Sequence, residues 1–82
     1  MIMAKATKVT NRIASLRASA GMTQAQLAER IGVTRQTVNA IEGGKYSPSL
    51  EVAFKIAVVF NVPLEEAFQY PRHPASTEQV GG

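Results

Sequence analysis

Apolar and small side chains recur at helical intervals along most of the chain, and the clearest run lies between Gln24 and Glu42. The apolar or small positions of this segment are Leu27, Ala28, Ile31, Val33, Val38 and Ile41. Gly32 interrupts the pattern with a residue that tolerates the positive φ at a helix end, and Thr34 can cap a second helix. Thr23 and Gln26 have the T-x-x-Q spacing of a capping box, so the first of the two helices should begin at Gln24.

Two short helices joined by one tight turn form a helix-turn-helix, which places its second helix in the major groove of DNA. The remaining face of that second helix is polar, with side chains that can form hydrogen bonds. These are Arg35, Gln36, Thr37, Asn39 and Glu42. An ordinary αα-hairpin with a solvated polar face is the alternative interpretation.

The same periodicity, with glycine, proline and cap residues at the boundaries, predicts five helices. They are expected at about Asn11–Ala20, Gln24–Ile31, Arg35–Glu42, from Pro48 or Ser49 to Phe60, and at Leu64–Phe68. The fourth has charges only at Glu51 and Lys55, so we expect it to be buried on more than one side, with apolar surface left for the fifth helix or a partner.

Residues 1–9 are then expected to be a flexible arm, residues 10–68 the helix-turn-helix domain, and residues 69–82 a mostly disordered tail with little apolar content.

Composition limits the classes of protein that the chain can belong to. At 82 residues it holds one domain, and without cysteine it has no disulfide or thiolate metal site. We expect a soluble cytoplasmic protein, because neither a signal peptide nor a membrane span is visible. The net charge is +3, and seven of the nine Lys and Arg residues precede Tyr46, in the half that carries the motif. That asymmetry favours a polyanionic partner such as double-stranded DNA.

The sequence has few of the side chains that serve as nucleophiles, bases or metal ligands in catalysis. There is one histidine, His73, in the predicted tail, and there is no Cys or Asp. Gly43-Gly44-Lys45 lacks the spacing of a phosphate-binding loop. We therefore predict a protein that is not an enzyme and has no cofactor and no metal site.

Several blocks in order resemble the Xre or Cro/repressor-type helix-turn-helix family. They are Asn11-Arg-Ile with Leu16-Arg17, Met22-Thr-Gln-Ala-Gln-Leu-Ala, Ile31-Gly-Val-Thr-Arg-Gln-Thr-Val, Ile41-Glu-Gly-Gly-Lys-Tyr and Ser47-Pro-Ser-Leu. The resemblance covers about residues 11–68 and implies an all-α, five-helix bundle like the DNA-binding domains of phage repressors.

The resemblance also implies roles at DNA for residues of the motif. Base contacts would come from Arg35, Gln36, Asn39 and Ala40, and backbone contacts from Gln24, Thr37 and Lys45. Arg12 is either a phosphate contact or solvated surface. Arginine suits guanine and glutamine suits adenine, whereas Ala40 stands where the family often has a longer polar side chain, so no base preference transfers to that position.

By the same resemblance, Arg17 and Glu42 form a partly buried ion pair that braces the recognition helix. A dimer interface is expected on the surplus apolar surface of the fourth helix together with Leu64, Ala67, Phe68 and Tyr70.

One recognition helix contacts too few base pairs to distinguish one site in a genome, and a dimer doubles the site, with half-sites about 34 Å apart. The predicted function is a sequence-specific transcriptional regulator, a homodimeric repressor of a palindromic operator. The alternative is an antitoxin that also represses its own operon and binds a toxin through the tail.

Overall fold

The computed structural model describes residues 7–71, and within that range it contains five α-helices and one two-stranded sheet. In chain order the elements are β1 (Thr10–Asn11), α1 (Ile13–Ala20), α2 (Gln24–Ile31), α3 (Arg35–Glu42), α4 (Leu50–Phe60), α5 (Leu64–Ala67) and β2 (Phe68–Gln69). The predicted five-helix fold is confirmed, and the sheet is a small addition to it. The arm residues 1–6 and the tail residues 72–82 lie outside the described range.

The helix-turn-helix consists of α2 and α3, with the bounds that the sequence predicts. Thr23 Oγ1 accepts a hydrogen bond from the Gln26 amide at 3.0 Å, and Gln26 Oε1 accepts one from the Thr23 amide at 2.9 Å. Gly32 has a φ of 77°, which few side chains tolerate, and so it ends α2. Thr34 then caps α3 by accepting a hydrogen bond from the Thr37 amide at 3.1 Å. Every cap of this motif is therefore local.

The hydrophobic core forms where α2 packs against α3 and α4. Its buried members are Ile13, Leu27, Ala28, Ile31, Val38, Ile41, Ile56, Ala57 and Ala67. Burial of each large aliphatic side chain contributes about 1.5–3 kcal/mol, which is how a domain of this size holds short helices together. The inward faces of α2 and α3 are thereby fixed relative to each other.

The first helix begins two residues later than predicted, because Asn11 belongs to β1. Asn11 pairs with Phe68 and Thr10 with Gln69, so the sheet joins the start and the end of the domain. The predicted end of the fifth helix at Phe68 and the predicted start of the tail at Gln69 are therefore wrong, since both residues form β2. Strands of two residues leave no periodic signal in a sequence.

Helix α4 is buried on one face only, contrary to the expectation of burial on more than one side. Ser49 caps it, and Asn61 ends it with a left-handed φ of 56°. Its inward residues Ala53, Ile56 and Ala57 are buried. The outward residues Leu50, Phe54 and Val58 are 66%, 49% and 76% exposed. The surplus apolar surface predicted for this helix is therefore present and uncovered by residues 7–71.

Candidate nucleic-acid interface

The outward face of α3 presents the polar residues that the sequence singles out for base contacts. Arg35, Gln36 and Asn39 are exposed. On the opposite face, Val38 and Ile41 are 1% and 2% exposed. The buried face fixes the orientation of the helix, so the three polar side chains project together into solvent.

Two further residues of α3 are half-buried. Thr37 Oγ1 lies 2.9 Å from Thr34 Oγ1 at the start of the helix, with its hydroxyl at the edge of the polar face. The Ala40 carbonyl accepts a hydrogen bond from the Lys45 amide at 3.0 Å. This bond fixes the loop after α3 against the helix, while the Lys45 side chain is exposed. The loop therefore carries a cation beside the recognition face.

The start of α2 lies next to the start of α3. An open cleft there is lined by the cap residue Thr23, by Gln24 and Ala25 of α2, and by Arg35 of α3. The first amide groups of a helix have no partner within the helix and carry the positive end of its dipole. With Arg35 beside them, these amides suit an anion such as a DNA phosphate.

Arg17 and Glu42 form the ion pair that the resemblance implies. Arg17 Nε donates to Glu42 Oε2 at 2.6 Å, and Arg17 Nη2 donates to Glu42 Oε1 at 3.1 Å. Arg17 Nη1 also donates to the Met22 carbonyl at 3.0 Å. The two side chains are only 19% and 9% exposed. The pair thus connects α1, the loop before α2 and the end of α3 away from bulk water.

The hydrogen bond to Glu42 raises the pKa of the Arg17 guanidinium, with burial acting in the opposite direction and the charge of Glu42 adding to the increase. The guanidinium therefore keeps its proton and its positive charge.

Gln24 has structural contacts that the sequence does not reveal. Its Nε2 atom lies 3.1 Å from Glu42 Oε1 and 3.3 Å from Asn39 Oδ1. Asn11 is a second such residue: its Nδ2 donates to the Ile41 carbonyl at 3.0 Å, and its Oδ1 accepts from the Ile13 amide at 3.1 Å. Both residues connect elements distant in sequence, and a residue pattern carries no signal for such contacts.

Arg12 lies at the start of α1, where its Nη1 atom is 3.6 Å from Glu66 Oε2. Both side chains are largely exposed, at 58% and 42%. Arg12 therefore lies beside a carboxylate of α5, which favours the interpretation of this residue as solvated surface over its interpretation as a phosphate contact.

The residues predicted for a dimer interface differ in their accessibility. Ala67 is fully buried in the core, so it cannot reach a partner, and its assignment to the interface is wrong. Tyr70 is 63% exposed, and Leu64 and Phe68 are half-buried. Leu64 and Phe68 line one groove together with Leu50. This groove makes the surface near α5 continuous with the exposed face of α4.

Two general properties concern the described residues. No helix within residues 7–71 is long and apolar enough to cross a membrane. The same residues contain no cluster of histidine, aspartate and glutamate that could hold a metal ion, and His73 lies outside them.

Comparison with known proteins places this geometry in a family. Residues 13–66 match the family model described as helix-turn-helix. An uncharacterised HTH-type transcriptional regulator of Methanocaldococcus jannaschii is 52% identical over 60 residues, which are 73% of this chain and 91% of that protein. The phage CTXφ transcriptional repressor RstR of Vibrio cholerae is 37% identical over 57 residues, or 70% of this chain and 51% of that repressor.

Among solved structures, the restriction-modification controller protein C.AhdI of Aeromonas hydrophila is similar, with a TM-score of 0.62 and 30% identity over 66% of this chain and 82% of that protein. PlcR of Bacillus thuringiensis, solved with a peptide and DNA, has a TM-score of 0.59 and 35% identity over 63% of this chain and 18% of PlcR. The chain belongs to the helix-turn-helix family of DNA-binding transcriptional regulators, which is not a family of enzymes.

Proposed function

We propose that the chain is a sequence-specific repressor that binds a palindromic operator as a homodimer, through the major groove. The observation that carries the proposal is the arrangement of α3, whose apolar face is buried while Arg35, Gln36 and Asn39 project together. These side-chain types match base edges in the major groove. The backbone amides at the N-terminus of α2, which line the cleft beside α3, suit the phosphate backbone.

The repressor assignment is supported by similarity to RstR, which is a phage transcriptional repressor. A protein that occupies DNA over a promoter excludes polymerase without further chemistry. The alternative of an antitoxin depends on the tail, most of which lies outside the described residues, and no structural observation favours it.

A dimer is supported by the uncovered apolar surface. We define the Leu50 patch as Leu50, Phe54 and Val58 of α4 together with the exposed parts of Leu64 and Phe68. Leu50 lines a groove along α4 together with Phe54 and Val58, and it also lines the groove that reaches α5, so it lies at the centre of the patch. A continuous apolar surface of this kind on a small protein marks an interaction site. A second copy related by a two-fold axis would cover the same patch on both chains.

The proposal is tested by selecting bound fragments from random double-stranded DNA and footprinting the protein on the enriched sequence. We expect a palindrome with half-site centres about 10 base pairs apart, on one face of the duplex. Transcription in vitro from a promoter overlapping that palindrome should fall as the protein is added. Failure to enrich any sequence, or enrichment of a single asymmetric site, would contradict a dimeric operator-binding repressor.

A further inference from the structure

A continuous series of hydrogen bonds leads from the ion pair to the DNA-facing side of α3. Glu42 Oε1 accepts from Arg17 Nη2 and also from Gln24 Nε2, both at 3.1 Å. The same Gln24 nitrogen lies 3.3 Å from Asn39 Oδ1. The partly buried carboxylate is therefore two hydrogen bonds away from the exposed Asn39 side chain.

The donor and acceptor at each step follow from the chemistry of the groups. A guanidinium only donates and an ionised carboxylate only accepts, so the end of the Gln24 amide that faces Glu42 must be its nitrogen. The Asn39 atom facing that nitrogen must then be an oxygen. This leaves Asn39 Nδ2, with two N–H donors, at the other end of an exposed side chain.

We propose that Asn39 meets the operator as a hydrogen-bond donor, and that Gln24 is the positioning residue that holds it in this orientation. The inference rests on the proposed DNA contact of α3. Acceptors in the major groove are N7 and O6 of guanine, N7 of adenine and O4 of thymine, whereas cytosine presents a donor. The base that Asn39 contacts should therefore be guanine, adenine or thymine, and cytosine should be disfavoured.

The arrangement also changes the role expected of Gln24. Its amide nitrogen has two hydrogens, and the two contacts to Glu42 and Asn39 use both. A phosphate oxygen needs a donor, so the phosphate at this place is bound by the backbone amides at the start of α2 rather than by the Gln24 side chain.

The first test is Asn39→Asp, which keeps the shape of the side chain and the acceptor for Gln24 but replaces the donor with a second acceptor. Binding is measured on the selected operator and on variants carrying each base at every half-site position. The wild type should disfavour cytosine at one position by about five- to one-hundred-fold, the range of one good base contact. In the variant this discrimination should be lost or shifted towards cytosine, while the other positions keep their preferences.

The second test is Gln24→Ala, which removes the restraint on Asn39 without removing Asn39. Discrimination at the same position should fall about two- to ten-fold, the cost of ordering one side chain on binding. Combined with Asn39→Ala, the substitution should have no further effect at that position. Gln26→Ala is the matched control, because it removes a glutamine from the same helical turn and weakens the cap but does not contact Asn39.

Three results would overturn the inference. Unchanged base preferences in Asn39→Asp would show that Asn39 does not donate to a base. An equal loss on all sequences in Gln24→Ala, additive with Asn39→Ala, would show that Gln24 binds phosphate directly. If the wild type enriches no sequence at all, the proposed DNA-binding function fails, and this inference fails with it.

Discussion

Gln36 of α3 and Lys45 of the following loop are both proposed to contact DNA, but they differ in whether they can distinguish one base sequence from another. The exposed Gln36 carries a donor and an acceptor, which can match the edge of one base. The exposed Lys45 is a point charge on a flexible stem, which suits a phosphate of any sequence. Alanine at position 36 should therefore weaken binding mainly to the operator, whereas alanine at position 45 should weaken binding to any DNA sequence.

Gln36→Ala should weaken binding to the selected operator by about 1–3 kcal/mol and binding to random DNA much less, because only the operator supplies the matching base.

Lys45→Ala should weaken binding to the operator and to random DNA by the same factor. It should also reduce by about 1 the magnitude of the slope of log affinity against log salt concentration, because one phosphate contact is lost. Titrations of both variants at several salt concentrations measure the two effects, and each variant is the control for the other. Equal losses on operator and random DNA for Gln36→Ala would remove it from the base contacts, and an unchanged slope for Lys45→Ala would remove it from the backbone contacts.

At the scale of elements, α3 is held by its buried apolar face and by the Arg17–Glu42 pair at its end. The Glu42 side chain is only 9% exposed, so removing it would leave a guanidinium largely buried and without its carboxylate. Breaking such a pair costs far more than the pair itself contributes, because the remaining charge is desolvated and unpaired.

Glu42→Ala should therefore lower the free energy of unfolding by roughly 3–5 kcal/mol, a large share of the stability of a small domain. Replacing both residues, as Arg17→Met with Glu42→Leu, should recover much of this loss because no buried charge remains. Urea melts of the single and double variants give the comparison. Glu66→Ala is the control, since it breaks the exposed pair with Arg12 and should cost less than about 1 kcal/mol. A Glu42→Ala melt that coincides with the wild type would show that the pair does not brace α3.

The sequence predicts those elements whose stabilising contacts lie between residues close together in the chain. The bounds of α2 and α3 are set by caps such as Thr23 and Thr34, whose partners lie three residues away. The sheet could not be predicted, because Thr10 finds its partner Gln69 at a separation of 59 residues. Likewise, the contacts of Gln24 depend on the angle at which α2 meets α3, and the outward face of α4 depends on how the bundle closes around it.

At the scale of the whole molecule, the Leu50 patch is the surface that a second copy is proposed to cover. Leu50 is 66% exposed at its centre, so a charged side chain there is solvated in the monomer and would be desolvated only in a dimer. A charged residue at position 50 should therefore weaken a dimer without destabilising the folded monomer.

Leu50→Lys should convert the proposed dimer to a monomer and weaken operator binding, while the melting temperature measured at low protein concentration changes little. Analytical ultracentrifugation over a range of concentrations measures the assembly. Ser15→Lys is the control, because it adds the same charge at an exposed position of α1 outside the patch. A variant that remains a dimer would place the interface elsewhere, and a wild type that is monomeric even on its operator would remove the dimer from the proposal.

The antiparallel pairing of β1 with β2 has a topological consequence. Because Thr10 and Gln69 are neighbours in the sheet, the start and the end of the domain lie side by side although they are far apart in sequence. Asn11 of β1 also donates a hydrogen bond to the Ile41 carbonyl near the end of α3, so the sheet is connected to this helix. The chain therefore enters and leaves the described domain at one region of its surface, and Asn11 connects that region to the end of α3.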